Sequence, residues 1–241
     1  MRQRLSALKI ILSLLVISSC SLENQNSNRT IEDIADEILD ATMLRYPSTP
    51  TFYSIENYRH DQLFDNSLDA LDQWKVKEDQ WLEELDAIGE PKEVDSRDWV
   101  TFGNIYESLA ASRDARVCRK ELWETSTTTA WYTGLPFIFD IQPLDSANLK
   151  RQALNRLRQV SHFIDREIQN LTIGLSQGYS SPRITVEAVP SEVRMLLEPN
   201  SPFLLMGERA EDEEFNNQVK GIFNDEIAPA MRRYAQFIEN K

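Results

Sequence analysis

The 241-residue chain is 41% hydrophobic and 27% charged, with only 7 glycines and 10 prolines. That apolar content supports a real core and excludes collagen-like, low-complexity and wholly disordered chains, while scarce glycine argues against a turn-rich β-sandwich or barrel. A formal charge of −13 disfavours nucleic-acid binding, and two histidines with two cysteines leave little for a self-contained His/Cys metal site.

The chain begins with a basic run, Arg2, Arg4 and Lys9, followed by the apolar segment 10–17. That segment is too short to span a bilayer, which needs about 20 residues. It leads into Ile17-Ser18-Ser19-Cys20, an aliphatic residue, two small residues and a cysteine, and so resembles a bacterial lipobox. The chemistry explains the pattern: a membrane peptidase accepts only small side chains beside the scissile bond, and the thiol must be free to take a diacylglycerol thioether. Residues 1–19 are therefore expected to be a lipoprotein signal peptide, Cys20 the lipidated residue, and 20–29 a polar tether. The other readings are an ordinary secretory signal that ends in cysteine, or a short buried helix.

Ser21 in place of Asp favours the outer membrane facing the periplasm, by the sorting rule of Gram-negative lipoproteins. Processing leaves 23 basic against 39 acidic residues, or −16. The acyl chains, not the protein charge, must then hold it at an anionic membrane. Cys118 has no partner for an intramolecular bridge and is expected to be a buried small hydrophobe, the alternative being an intermolecular disulfide.

The rest reads as helix after helix. Thr30, with Asp33 three residues on, caps a predicted helix over 31–46, whose apolar face is Ile31, Ile34, Ile38 and Leu39. Pro47 and Pro50 stop it, and 47–66 reads as an ordered, aromatic-containing loop. A helix over 67–88 buries Trp74, Trp81, Leu82 and Leu85, and another over 95–119 aligns Trp99, Phe102, Tyr106 and Leu109. Over 121–144 short strand or irregular structure is expected, with Pro136 and Pro143 against a long strand. The clearest helix spans 146–177. Pro182 suits a first turn, Pro190 should kink or split the stretch that follows, and 198–210 reads as a loop. A last helix begins near Glu211, bent by Pro229. The class is all-α, one helical domain over 30–241.

Sequence chemistry is sparse. His60-Asp61 and the run around His162 contain no second histidine one turn away, as a zinc helix requires, and both histidines read as structural. No nucleophile elbow and no glycine-rich phosphate loop exists. The acidic runs read as solvated helix faces, so no catalytic and no metal-binding residue is assigned. The aromatic cluster Trp123, Trp131, Tyr132, Phe137 and Phe139 reads as core. Tyr179 and Arg183, in Gln177-Gly178-Tyr179-Ser180-Ser181-Pro182-Arg183, are the candidate cleft residues. A cation in a helix first turn opposes the dipole, which hints at a carboxylate ligand; an i,i+4 pair with Glu187 is the plainer explanation.

Several segments together resemble bacterial domain-of-unknown-function family 885. They are Cys118-Arg-Lys-Glu-Leu-Trp123, Gly134-Leu-Pro136, Gln142-Pro143, Glu167-Ile-Gln-Asn-Leu171, the run 174–183, Ser201-Pro202-Phe203 and Asp225-Glu-Ile-Ala-Pro-Ala-Met-Arg-Arg-Tyr234. The resemblance implies a helical, often lipid-anchored protein akin to bilobal zinc metallopeptidases, with a long cleft for a peptide substrate. It also implies that the H-E-x-x-H zinc helix belongs to a C-terminal half missing from this sequence, so that zinc is a cofactor of that half alone. The expectation is a non-catalytic N-terminal portion forming one wall of the cleft. The alternative is a complete, non-enzymatic helical lipoprotein acting as an envelope adaptor or binding scaffold.

Overall fold

Helix starts follow the capping chemistry written in the chain. The computed structural model describes residues 29–240 apart from 56 and 129; the signal-peptide segment, Cys20 and the tether up to residue 28 lie outside the described residues. Thr30 and Asp33 close a reciprocal capping box that opens α1 (Ile31–Arg45). Ser67, Ser96 and Ser146 each accept an amide three residues on, opening α3 (Leu68–Ile88), α4 (Arg97–Ala115) and α6 (Ala147–Ser176). Between α1 and α3 lies a single turn, α2 (Thr49–Phe52), started by Pro50 in its first turn.

Two stretches depart from the sequence expectation. Residues 131–140 form a helix, α5 (Trp131–Asp140), with Pro136 inside it. Proline there removes one helical bond, but the turn buries Trp131, Tyr132, Ile138 and Phe139, and packing overrides propensity. Phe137, read as core, is exposed on its outer side. Residues 202–209, predicted as loop, form α9 (Pro202–Arg209). Pro202 supplies a preset first turn, and Phe203 and Met206, three residues apart, are fully buried.

Proline also shapes the C-terminal third. Pro190 stands in the first turn of α8 (Val189–Met195), which splits it from the short α7 (Arg183–Val186). Asp212 caps α10 (Glu213–Ile222). A π-helical segment, Phe223–Ile227, then joins it to α11 (Ala228–Glu239). Pro229 cannot donate to the carbonyl four residues back, and the wider turn absorbs that loss. Among the described residues there is no strand, and no helix is long and apolar enough to cross a membrane.

The core has two parts. Leu157, Val160 and Ile164 of α6 pack with Val189, Val193, Phe203, Val219, Met231 and Tyr234 in the larger. Ile31, Ile34, Trp81, Leu82, Leu85, Phe102 and Leu109 join α1, α3 and α4 in the smaller. Leu39, placed on the apolar face of the first helix by its spacing, is exposed.

Alongside its apolar face α6 carries a polar stripe, and this stripe fastens the loop after α2. Gln152 accepts from the His60 amide (2.7 Å), and Gln159 accepts from the Leu63 amide (3.1 Å) and donates to the Asp61 carbonyl (2.7 Å). Arg156, with no exposed surface, donates to the carbonyls of Pro47 and Gln62 (both 2.9 Å), to Thr51 Oγ1 (2.9 Å) and to Gln142 Oε1 (2.7 Å). Burial lowers its pKa to about 10, so it stays cationic at neutral pH. Further along the same helix, Gly174 lets α6 meet the 3₁₀ turn Lys120–Leu122; an added Cβ would lie 1.8 Å from the Leu122 carbonyl oxygen.

Replacing Arg156 by Met should destabilise the fold by about 3–5 kcal/mol, because four acceptors, two of them in fully buried hydrogen bonds, lose their donor. Gly174→Ala should cost about 3 kcal/mol through overpacking. Urea denaturation measures both, and a loss below about 1 kcal/mol for either would contradict the assigned contacts.

Candidate functional site

The end of α6 and the start of α7 form one side of an open groove. Gly178, at φ +86°, reverses the chain after α6, and the Tyr179 amide donates back to the Gly174 carbonyl (2.9 Å). Ser181 Oγ donates to the Trp123 carbonyl and accepts from the Thr125 amide (3.3 Å). These bonds seat residues 179–183 against the 121–125 segment. Thr125 in turn pairs with the buried Tyr234 hydroxyl (2.9 Å) on α11. The resulting groove, about 570 Å³, has an apolar floor that includes Leu122, Leu171, Val186 and Ile238.

The structure thus brings Tyr179 and Arg183 to one groove. Tyr179 is half-buried and Arg183 is highly exposed. Arg183 Nε donates to Glu187 Oε1 at 2.8 Å, the i,i+4 pair that its sequence position suggests. Such an exposed pair is worth at most about 1 kcal/mol and leaves both side chains available to a ligand. Trp123, read as core, is half-buried instead and lines the groove, its indole donating to the Cys118 carbonyl (2.7 Å).

Neither histidine is placed as a metal ligand. His162 Nε2 lies 2.8 Å from the Arg166 guanidinium. His60 is buried, its Nδ1 2.8 Å from Thr51 Oγ1. Thr51 Oγ1 also accepts from Arg156, so one hydroxyl links His60 to the buried guanidinium. Burial lowers the His60 pKa, and the neighbouring Arg156 cation lowers it further, against the opposing pull of Asp61. Among the described residues no group of three His, Cys, Asp or Glu side chains could hold a metal ion, so these residues do not furnish a zinc site.

Cys118 is exposed, not buried. It ends the 3₁₀ turn Arg116–Cys118, and the chain then reverses at Arg119 in the left-handed region (φ 45°). The turn extends α4 beyond its packed part, and Val117 is exposed beside it. Sequence reasoning also missed a second cavity, about 730 Å³, lined by Asn66, Phe163, Glu167 and Asn170. Its one sequence signal is the i,i+3 spacing of Glu167 and Asn170.

Fold and groove define an all-α protein in which one long helix organises a loop, a cavity and a groove. The chain belongs to a family of bacterial proteins of unknown function, DUF885, whose sequence profile matches residues 47–241. No curated protein matches the chain.

Two outcomes follow. A His60 whose folded pKa is depressed below 6.5 contributes stability that is fully present above 6.5 and lost as pH falls through the folded value. Acid titration of the urea midpoint should show that loss, and His60→Asn, which keeps an acceptor for Thr51, should flatten it. Cys118 should react stoichiometrically with a maleimide in the native protein; reaction only after denaturation would contradict its placement.

Proposed function

We propose that this chain is the non-catalytic, N-terminal portion of a lipid-anchored peptidase-like hydrolase, and that the groove beside Tyr179 and Arg183 is one wall of its peptide cleft. The groove carries this reading. An extended peptide offers apolar side chains to a floor of Leu122, Leu171 and Val186, and polar groups to the Ser180 and Ser181 hydroxyls. Arg183 and Glu187, both exposed at its edge, would take a carboxylate and an ammonium respectively. The hydrolytic zinc, a Lewis acid that activates water, belongs in this reading to residues other than these. Membership of the family supports the assignment at the level of architecture.

The purified mature chain should then contain no stoichiometric zinc by atomic emission. It should show no peptidase turnover with or without added zinc. It should bind unstructured peptides weakly, and Tyr179→Ala or Arg183→Ala should each weaken binding by roughly tenfold, or about 1.4 kcal/mol. Metal-dependent turnover would overturn the non-catalytic assignment, and unchanged peptide affinity in both variants would overturn the groove.

A further inference from the structure

The second cavity is chemically unlike the groove. Its floor is built by the polar stripe of α6 and by Asn66 from the loop. Asn66 Nδ2 donates to the Phe163 carbonyl (3.1 Å) and to Glu167 Oε1 (2.6 Å), which uses both of its amide hydrogens. Asn170 Nδ2 donates to the Asn66 carbonyl (2.8 Å). These bonds fix the amide orientations, so the oxygens of both asparagines and Glu167 Oε2 are the atoms left over. Among the described residues none of the three has a hydrogen-bond partner, and none is sealed from the cavity. The floor is therefore rich in acceptors around one carboxyl group. Burial raises the Glu167 pKa, as expected for a carboxylate that lacks a cation.

The walls are aromatic. Tyr46, Phe64, Trp131 and Phe163 line the cavity, with Phe64 and Phe163 edge to face at 5.1 Å. The Arg45 guanidinium already lies 5.7 Å from the Phe64 ring centroid and 5.6 Å from that of Tyr46, so these rings accept a cation on one side. Among the described lining residues, Glu121 is paired with Arg119 and Lys75, Glu124 and Glu167 are in no ion pair, and Lys120 is a cation, besides Arg45 at the aromatic wall.

Ligand classes can be separated on this basis. An anion meets the Glu167 carboxylate, and a neutral solute leaves it desolvated and unpaired. For a divalent metal ion, the described residues offer no group of three His, Cys, Asp or Glu side chains to hold it. We propose that this cavity binds an organic ammonium ion, its nitrogen facing Glu167 and its alkyl groups lying against the aromatic walls. The site is independent of the peptide groove and of any hydrolytic role.

The test titrates the purified full chain with n-butylammonium and choline, and with their uncharged isosteres 1-butanol and 3,3-dimethylbutan-1-ol, by calorimetry and ligand-observed NMR. The cations should bind saturably, and the isosteres at least about tenfold more weakly. Glu167→Gln keeps an acceptor for Asn66 but removes the charge, and should lower cation affinity by about tenfold or more. Gly134 lines the mouth, and an added Cβ there meets nothing within 4 Å. Gly134→Leu should therefore fold normally and exclude the cation, which keeps the test decisive if the Glu167 variant does not fold. Equal binding of cations and isosteres would overturn the proposal. So would undiminished cation binding in either folded variant, or displacement of the cation by calcium or zinc.

Discussion

A single stripe along α6 governs the layout of this protein. Gln152, Arg156, Gln159, Glu167, Asn170 and Gly174 recur at helical spacing on a strip beside that of Leu157, Val160 and Ile164. The helix thus has two working faces. Its apolar face holds the larger core together, and its polar face supplies the hydrogen bonds that the loop backbone cannot make for itself. Peptide groups buried without partners are costly, and residues 60–66 have no helix or strand to satisfy them. Side chains of α6 do so instead, which is why this stretch is ordered without regular structure.

Arg156 is the most constrained member. Among the described residues no carboxylate lies within hydrogen-bonding distance of its guanidinium, which is solvated by four neutral oxygens. Burying a charge in this way is expensive unless every donor is aimed. The geometry that aims them also ties His60 to the guanidinium through Thr51, and holds Gln142, whose amide donates to the His60 carbonyl (3.0 Å), against the loop. Further along the same stripe, Glu167 and Asn170 floor the aromatic cavity. At its end Gly174 lets Leu122 approach and positions the turn that leads to the groove. Fold and candidate sites therefore share one set of residues.

The apolar half of this design was legible in the sequence. The helices over α1, α3, α4 and α6 follow from hydrophobic spacing, serine or threonine caps and proline stops, because those signals are local. The polar half was not. Nothing in the spacing of a long amphipathic helix marks Arg156 or Gln159, and only the distant loop gives them partners. α5 and α9 were hidden for a related reason: each is short, begins or is interrupted at a proline, and is stabilised by Phe139 and Phe203 meeting in the core (ring centroids 5.0 Å apart). Cys118 was misplaced because composition says how often cysteine is buried, whereas a turn at Arg119 decides where this one points. Tyr179 and Arg183 were found from a dipole argument, although Arg183 has its own partner in Glu187.

The most direct test of the pinned loop is native-state hydrogen exchange at the amides of His60 and Leu63. Neither lies in a helix, and each donates to a glutamine of α6. If the polar stripe holds the loop as a structural element, both amides should exchange as slowly as those in the middle of α6, opening only with the core. Exchange at the rate of exposed loop amides would contradict it.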